Sequence, residues 1–224
     1  MPFFRKRITP SPAPVTPVRP APPGPGIVLR KSTALKDFLL KIPELDRRSL
    51  LDLGRACQAT ISFFADRGFR ITVQPLLESW RQFLEEQQIP GPQEAMAPSD
   101  PAVRAQEFLN RELQFPPASF HSVLAWDVFD CFEPPLTDLL VKRLHELLAP
   151  GGVLLALFHS EPPAQRWSYR VRDLETIELV PDPRSLPVVN VLNNRQILNL
   201  FARFRSCTTY IARDQLREVL VVRE

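Results

Sequence analysis

Ser49–Thr60, SLLDLGRACQAT, is the stretch whose reading decides the fold. Its first half is a short apolar run closed by an acid at Asp52, the pattern of a strand buried on both faces. Gly54 marks a turn, Ala56–Arg67 reads as a helix stopped by Gly68, and Phe69–Val73 reads as a second strand alternating into Gln74 and Pro75. Strand, helix and strand in such close succession form a crossover unit, which requires the two strands to run parallel.

Working outward, Leu35, Phe38, Leu39 and Ile42 repeat at helical spacing behind a cap at Ser32 or Thr33, and Pro43 ends the run. Beyond the crossover unit, Glu78–Gln87 and Ala102–Glu112 carry helical patterns on either side of a Pro/Gly-rich loop at Ile89–Pro101. Phe120–Trp126 is a strand. The helix after it has one apolar face through Leu136, Leu139, Leu140, Leu144, Leu147 and Leu148, and Pro150, Gly151 and Gly152 stop it. Val153–His159 is apolar throughout, as expected in a sheet covered by helices on both faces. In the last third, Trp167–Arg172 and Thr176–Val180 form a small hairpin, and Asn193 or Asn194 caps a helix through Phe204. Cys207–Ile211 and Arg217–Val222 follow as antiparallel neighbours. The fold class expected is α/β, a Rossmann-like three-layer sandwich with a mostly parallel sheet and an antiparallel C-terminal hairpin.

The 224 residues, 44% of them hydrophobic, suffice for one packed domain and a tail. Residues 1–26 hold nine of the 25 prolines, and the expected organisation is a disordered Pro-rich basic tail at 1–30 with one domain over 31–224. The net charge of +3 is set by that tail: Met1–Lys36 contains seven Lys or Arg and no Asp or Glu, so the remainder carries 21 basic against 25 acidic residues, or −4. The basic balance is therefore no sign of a nucleic-acid-binding face on the domain. Arg5, Lys6 and Arg7 beside Phe3 and Phe4 form a candidate contact for an anionic surface or a partner. No run is long enough for a membrane span and the start lacks the apolar core of a signal peptide, so a soluble, cytoplasmic protein is expected. Cys57, Cys131 and Cys207 are widely spaced, without a CxxC pair, and read as reduced thiols.

Two segments carry a resemblance. SLLDLG stands where class I S-adenosylmethionine-dependent methyltransferases, in particular the small type 11 group, have a strand ending in an acidic residue before a glycine-rich loop. LQFPPASFHSVLAWDVFDCF followed by LLAPGGVLLALF resembles that family's later strand, helix and Pro-Gly-Gly turn in order, and the closing strand pair resembles its reversed terminal hairpin. The resemblance covers roughly residues 33 to 224. It implies S-adenosylmethionine as cofactor and a small-molecule or protein methyl acceptor, with no motif specifying which.

The resemblance also implies a site. Asp52, Gly54 and Arg55 fall on the cofactor loop, where Gly54 keeps the first glycine, Ala56 replaces the second and Gln58 occupies the third. The carboxylate that such enzymes use on the ribose hydroxyls is replaced by Gln74, followed by Pro75; an amide can bond to hydroxyls, without charge assistance. Trp126 and Asp127 would border the methionine end of the cofactor. Methyl transfer is an in-line displacement that needs a base only when the acceptor is protonated, and His159, ending its strand, is the best-placed base candidate. His121 and His145 are read as structural. Asp127, Asp130 and Glu133 lack further ligands for a metal, and none is expected.

Two functions compete on this reading. One is a methyltransferase with relaxed motifs; the other is a catalytically inactive binding or regulatory module on the same scaffold. A dehydrogenase ranks below both, since GxGxxG is missing and neither Tyr169 nor Tyr210 has a lysine four residues on. The shape of the cavity beside Gly54, Ala56 and Gln74 separates the first two, a filled one favouring the module.

Overall fold

A computed structural model describes residues 26–45, 47–87, 100–212 and 214–224. In chain order the elements are β1 (Val28–Lys31), α1 (Thr33–Lys41), β2 (Arg48–Asp52), α2 (Gln58–Ala65), β3 (Phe69–Val73), α3 (Leu76–Gln87), α4 (Pro101–Glu112), β4 (Phe120–Trp126), α5 (Val128–Cys131), α6 (Pro134–Leu147), β5 (Leu148–His159), β6 (Trp167–Asp173), β7 (Thr176–Pro181), α7 (Asn194–Leu200), β8 (Ser206–Ile211) and β9 (Leu216–Val222). The main sheet has the order β3-β2-β4-β5-β9-β8. β3, β2, β4 and β5 are parallel, whereas β9 runs antiparallel to both β5 and β8. The expected α/β fold class is therefore the observed one.

Period-two alternation in the central strands supplies both faces. Leu154, Ala156 and Phe158 of β5 pack with Val123 and Ala125 of β4 under α3, α4, α6 and α7. Val153, Leu155 and Leu157 point the other way, to join Leu124, Trp126 and the apolar sides of α1 and α2. Each covering helix has a local reason to start: the Ser32 side chain accepts from the Leu35 amide at α1, Asp100 accepts from Ala102 at α4, and Asn193 with Gln196 forms a capping box at α7. Gly68, at φ +78, ends the α2 segment in the left-handed region.

A second, three-stranded antiparallel sheet, β1-β7-β6, is added to this core. Its hairpin matches the one expected, and β1, Val28–Lys31, joins it by pairing antiparallel with β7. Arg30 is buried there, paired with Glu218 on β9 and Asp214, and it donates to the Leu216 carbonyl. The Val171 amide of β6 donates to Thr60 Oγ1 of α2 at 3.0 Å, tying the small sheet to the helix layer.

Other boundaries shift. α2 starts at Gln58, two residues later than its pattern suggests, because Arg55 and Ala56 belong to the loop. The one-turn α5 was hidden between two stronger patterns. α6 ends at Leu147, ahead of Pro150-Gly151-Gly152, which lies within β5 as an irregularity: the pairing jumps from Phe120 with Leu148 to Ser122 with Val153. No strand occurs between α3 and α4 among the described residues, while the tail cluster at 3–7 and residues 88–99 of the Pro/Gly-rich loop lie outside them.

Candidate functional site

In an open parallel sheet a ligand sits beyond the carboxyl ends of the strands where the order reverses, here between β2 and β4. Asp52 ends β2 with only 2% of its surface exposed. Its Oδ1 accepts two hydrogen bonds, from the Gly54 amide at 2.9 Å and from Trp126 Nε1 at 2.7 Å. Burial pushes the carboxyl up to about 6 against the opposing effect of those two bonds.

Trp126 ends β4 and turns its indole across this crevice. Its backbone is at φ +50, a conformation costly for a bulky side chain and held here by the contacts around it. A Cβ at position 54 would lie 2.6 Å from the indole. The one glycine retained from the cofactor loop is thus required by Trp126 itself. The indole's other face stacks on Tyr169 of β6, with centroids 5.6 Å apart and planes 8° from parallel. Tyr169 in turn donates from its hydroxyl to Asp127 Oδ2 at 3.1 Å. Burial raises Asp127 to about 6; His159 and the Tyr169 hydroxyl bond oppose the rise, and Asp130 adds to it.

The remaining expected contacts are also engaged within the chain. Arg55 pairs with Asp182 at 2.9 Å and lies 3.8 Å from Glu78. Gln74 donates to Glu112 Oε2 at 2.7 Å, so its amide serves α4. Pro75, Gly54, Arg55, Glu78 and Trp126 line a remnant cavity of only about 50 Å³. Ala56 lines an adjoining space of about 660 Å³ with Cys57 and Gln58, and the two spaces share Arg55, Tyr169, Asp182 and Arg184 in their walls. Small-molecule sites usually occupy about 300–1,000 Å³. The part of the crevice beside Gly54 is by itself too small for S-adenosylmethionine in this arrangement, because the indole and Tyr169 narrow it.

His159 ends β5, where its base assignment placed it, and its partner is new. Its Nδ1 lies 2.9 Å from Asp130 Oδ2, and its backbone amide donates to the same oxygen at 2.6 Å. Asp130, fully buried, is raised by that burial while the His159 contacts pull it down. Sequence reasoning weighed Asp130 only as a metal ligand and Tyr169 only as a dehydrogenase residue. Neither pairing has a local signal, since Asp130 meets His159 and Tyr169 meets Trp126 only through the sheet and the added hairpin. No group of metal-ligating side chains occurs among the described residues.

Strand order, the reversed β9 and the helices on both faces define the class I methyltransferase fold. No family model and no curated protein matches the chain. Among solved structures it is similar to the PH0226 protein of Pyrococcus horikoshii, at 15% identity and TM-score 0.46 over 85% of this chain and 88% of that one. It is similar also to the Burkholderia thailandensis 1,6-didemethyltoxoflavin-N1-methyltransferase, solved with S-adenosylhomocysteine, at 15% identity and TM-score 0.46 over 86% and 79%. The glycopeptide N-methyltransferase MtfA, solved with S-adenosylmethionine, gives 16% and 0.42 over 87% and 95%. Identities this low transfer no function, and the fold assignment rests on the strand arrangement of the chain itself.

Proposed function

We propose that the chain is a methyltransferase-fold binding or regulatory module whose cofactor crevice is closed by its own side chains. The observation that carries this reading is the Trp126 indole, bonded to Asp52 and packed against Gly54 where the cofactor would need space. Each polar group expected on the cofactor is committed elsewhere: Asp52 to Trp126, Arg55 to Asp182 and Gln74 to Glu112. Breaking these contacts to admit a ligand would subtract from its affinity. The test is calorimetry of the native chain with S-adenosylmethionine and S-adenosylhomocysteine. No saturable heat is expected at millimolar ligand, and saturable binding would overturn the reading.

A second reading, a methyltransferase in which Trp126 swings aside, is favoured by one observation. Trp126 holds a strained φ of +50, and backbone strain is characteristic of residues that move or act. In that state Glu78, on the rim of the cavity, and Glu112, bonded to Gln74 at 2.7 Å, would be the carboxylates available in place of the missing ribose acid. The acceptor would be a small molecule or a protein. Binding of S-adenosylmethionine coupled to loss of the Trp126–Asp52 bond distinguishes this reading from the first.

A further inference from the structure

On the other side of Trp167 from the closed crevice lies a cavity of about 710 Å³. β1, β7, the start of β9 and the segment between β5 and β6 enclose it, and His159 is part of its wall. We propose that this cavity is a binding site for a small, uncharged molecule with an aromatic or other apolar body and a hydroxyl group, the hydroxyl donating to His159 Nε2.

The imidazole is prepared for that role. In the neutral ring, the Asp130 carboxylate beside Nδ1 favours the tautomer with its proton on that nitrogen, and Nε2 is then the acceptor. No described residue hydrogen-bonds to Nε2, although His159 is only 6% exposed. A ring so enclosed, held by one carboxylate through both its amide and Nδ1, costs little to order when a ligand arrives.

The rest of the wall selects the body of the ligand. Val28 and Leu29, which are 47% and 44% exposed overall, contribute to the lining, and Trp167, Leu179 and Leu216 continue its apolar part. A wall of this kind with one oriented polar group is the usual composition of a small-molecule site. Charge selects against anions, because Arg30 and Lys31 of this wall both have carboxylate partners. Arg30 is already paired with Asp214 and Glu218, and Lys31 with Glu175 at 2.7 Å. Among the described residues of the wall, neither Arg30 nor Lys31 is left for an anionic headgroup.

This deepens the binding-module reading by giving it a ligand class, and it rests on that reading only for its biological sense, since the cavity is separate from the cofactor crevice. The experiment uses the full chain with ¹⁵N-labelled histidine, titrated with 4-methylphenol and with 4-methylanisole, which has the same body and no hydroxyl. The Nε2 resonance of His159 is assigned by its loss in His159→Gln. A saturable shift with 4-methylphenol is expected, weakened at least about tenfold for 4-methylanisole and in Ala164→Trp, an exposed wall position that fills the cavity without touching the core. The proposal is overturned by absence of a saturable shift up to about 10 mM, by equal affinity for the two probes, or by unchanged affinity in Ala164→Trp. S-adenosylmethionine binding is read at Trp126 instead, so either idea can fail alone.

Discussion

The carboxyl ends of β2 and β5 lie in one sheet and have opposite fates. At β2 and the neighbouring end of β3, Asp52, Gly54, Gln74 and Arg55 are each satisfied by a side chain or packed against one, and about 50 Å³ is left beside Gly54. At β5, His159 is oriented by Asp130 yet keeps one nitrogen unclaimed beside about 710 Å³. The same scaffold therefore turns the expected binding groups into packing at one strand end and leaves a prepared polar atom at another. Residue identity alone does not separate the two cases; what separates them is whether a neighbouring element covers the group.

The largest test of this contrast is Trp126→Gly. Removing a large buried aromatic costs about 3–5 kcal/mol. Glycine accepts φ +50 without strain and returns on the order of 1 kcal/mol of that. Urea unfolding should show the net loss, and calorimetry should show S-adenosylmethionine binding absent from the native chain. A variant as stable as the native protein would mean the indole is not packed as described.

Gly54→Ala comes next. With a Cβ 2.6 Å from the indole it should lose about 1–3 kcal/mol by overpacking. In a Trp126→Gly background the same substitution should cost less than about 1 kcal/mol, a coupling measured by a double-mutant cycle. Equal costs in the two backgrounds would show that Gly54 answers to the loop and not to Trp126.

Asp52 gives a pH signature. Its folded-state carboxyl is raised to about 6 from the usual 3.8, so between those values the folded chain binds a proton that the unfolded chain has released. The stability contributed by this group is present below about 4 and is lost as pH rises to about 6. Asp52→Asn keeps an oxygen for the Trp126 and Gly54 donors and removes the titration. The native chain should therefore lose stability relative to Asp52→Asn as pH rises across that window, read from urea midpoints. Asp127, also raised to about 6, is present in both proteins and cancels in the difference to first order.

The smallest effect is expected from Gln74→Asp, which supplies the acid that the resemblance implies there. It replaces a donor to Glu112 with a like charge at a partly exposed position, a loss of roughly 1 kcal/mol or less. Cofactor binding should not appear, even with Ala56→Gly added, because the indole still fills the crevice. Binding gained by those two changes alone would move the obstruction from Trp126 to the loop.

Much of the architecture was legible in the chain. Phe69–Val73 and Phe120–Trp126 are strands over the very residues their patterns mark, because uninterrupted apolar and β-branched runs bounded by Gly, Pro or polar residues leave few alternatives. β1 was not legible: four residues behind a Pro-rich segment have too little pattern, and their partner β7 is about 150 residues away. The site was legible as positions and illegible as contacts. Asp52, Gly54 and Trp126 were marked from the resemblance, but the bond between Asp52 and Trp126 depends on one positive φ and on a tyrosine delivered by a distant hairpin. The pairing of His159 with Asp130 is likewise made by adjacency in the fold, with no spacing rule to announce it.

The central claim, that Trp126 closes the cofactor crevice, is tested most directly at its own indole N–H. In a ¹H–¹⁵N spectrum the chain's three tryptophans give three indole signals, with that of Trp126 identified by its loss in Trp126→Gly. Bonded to buried Asp52, this N–H should exchange slowly with solvent and stay unmoved as S-adenosylmethionine is raised to millimolar concentration. A saturable shift or loss of the signal on adding the cofactor would contradict the account and would mean that the indole yields its place.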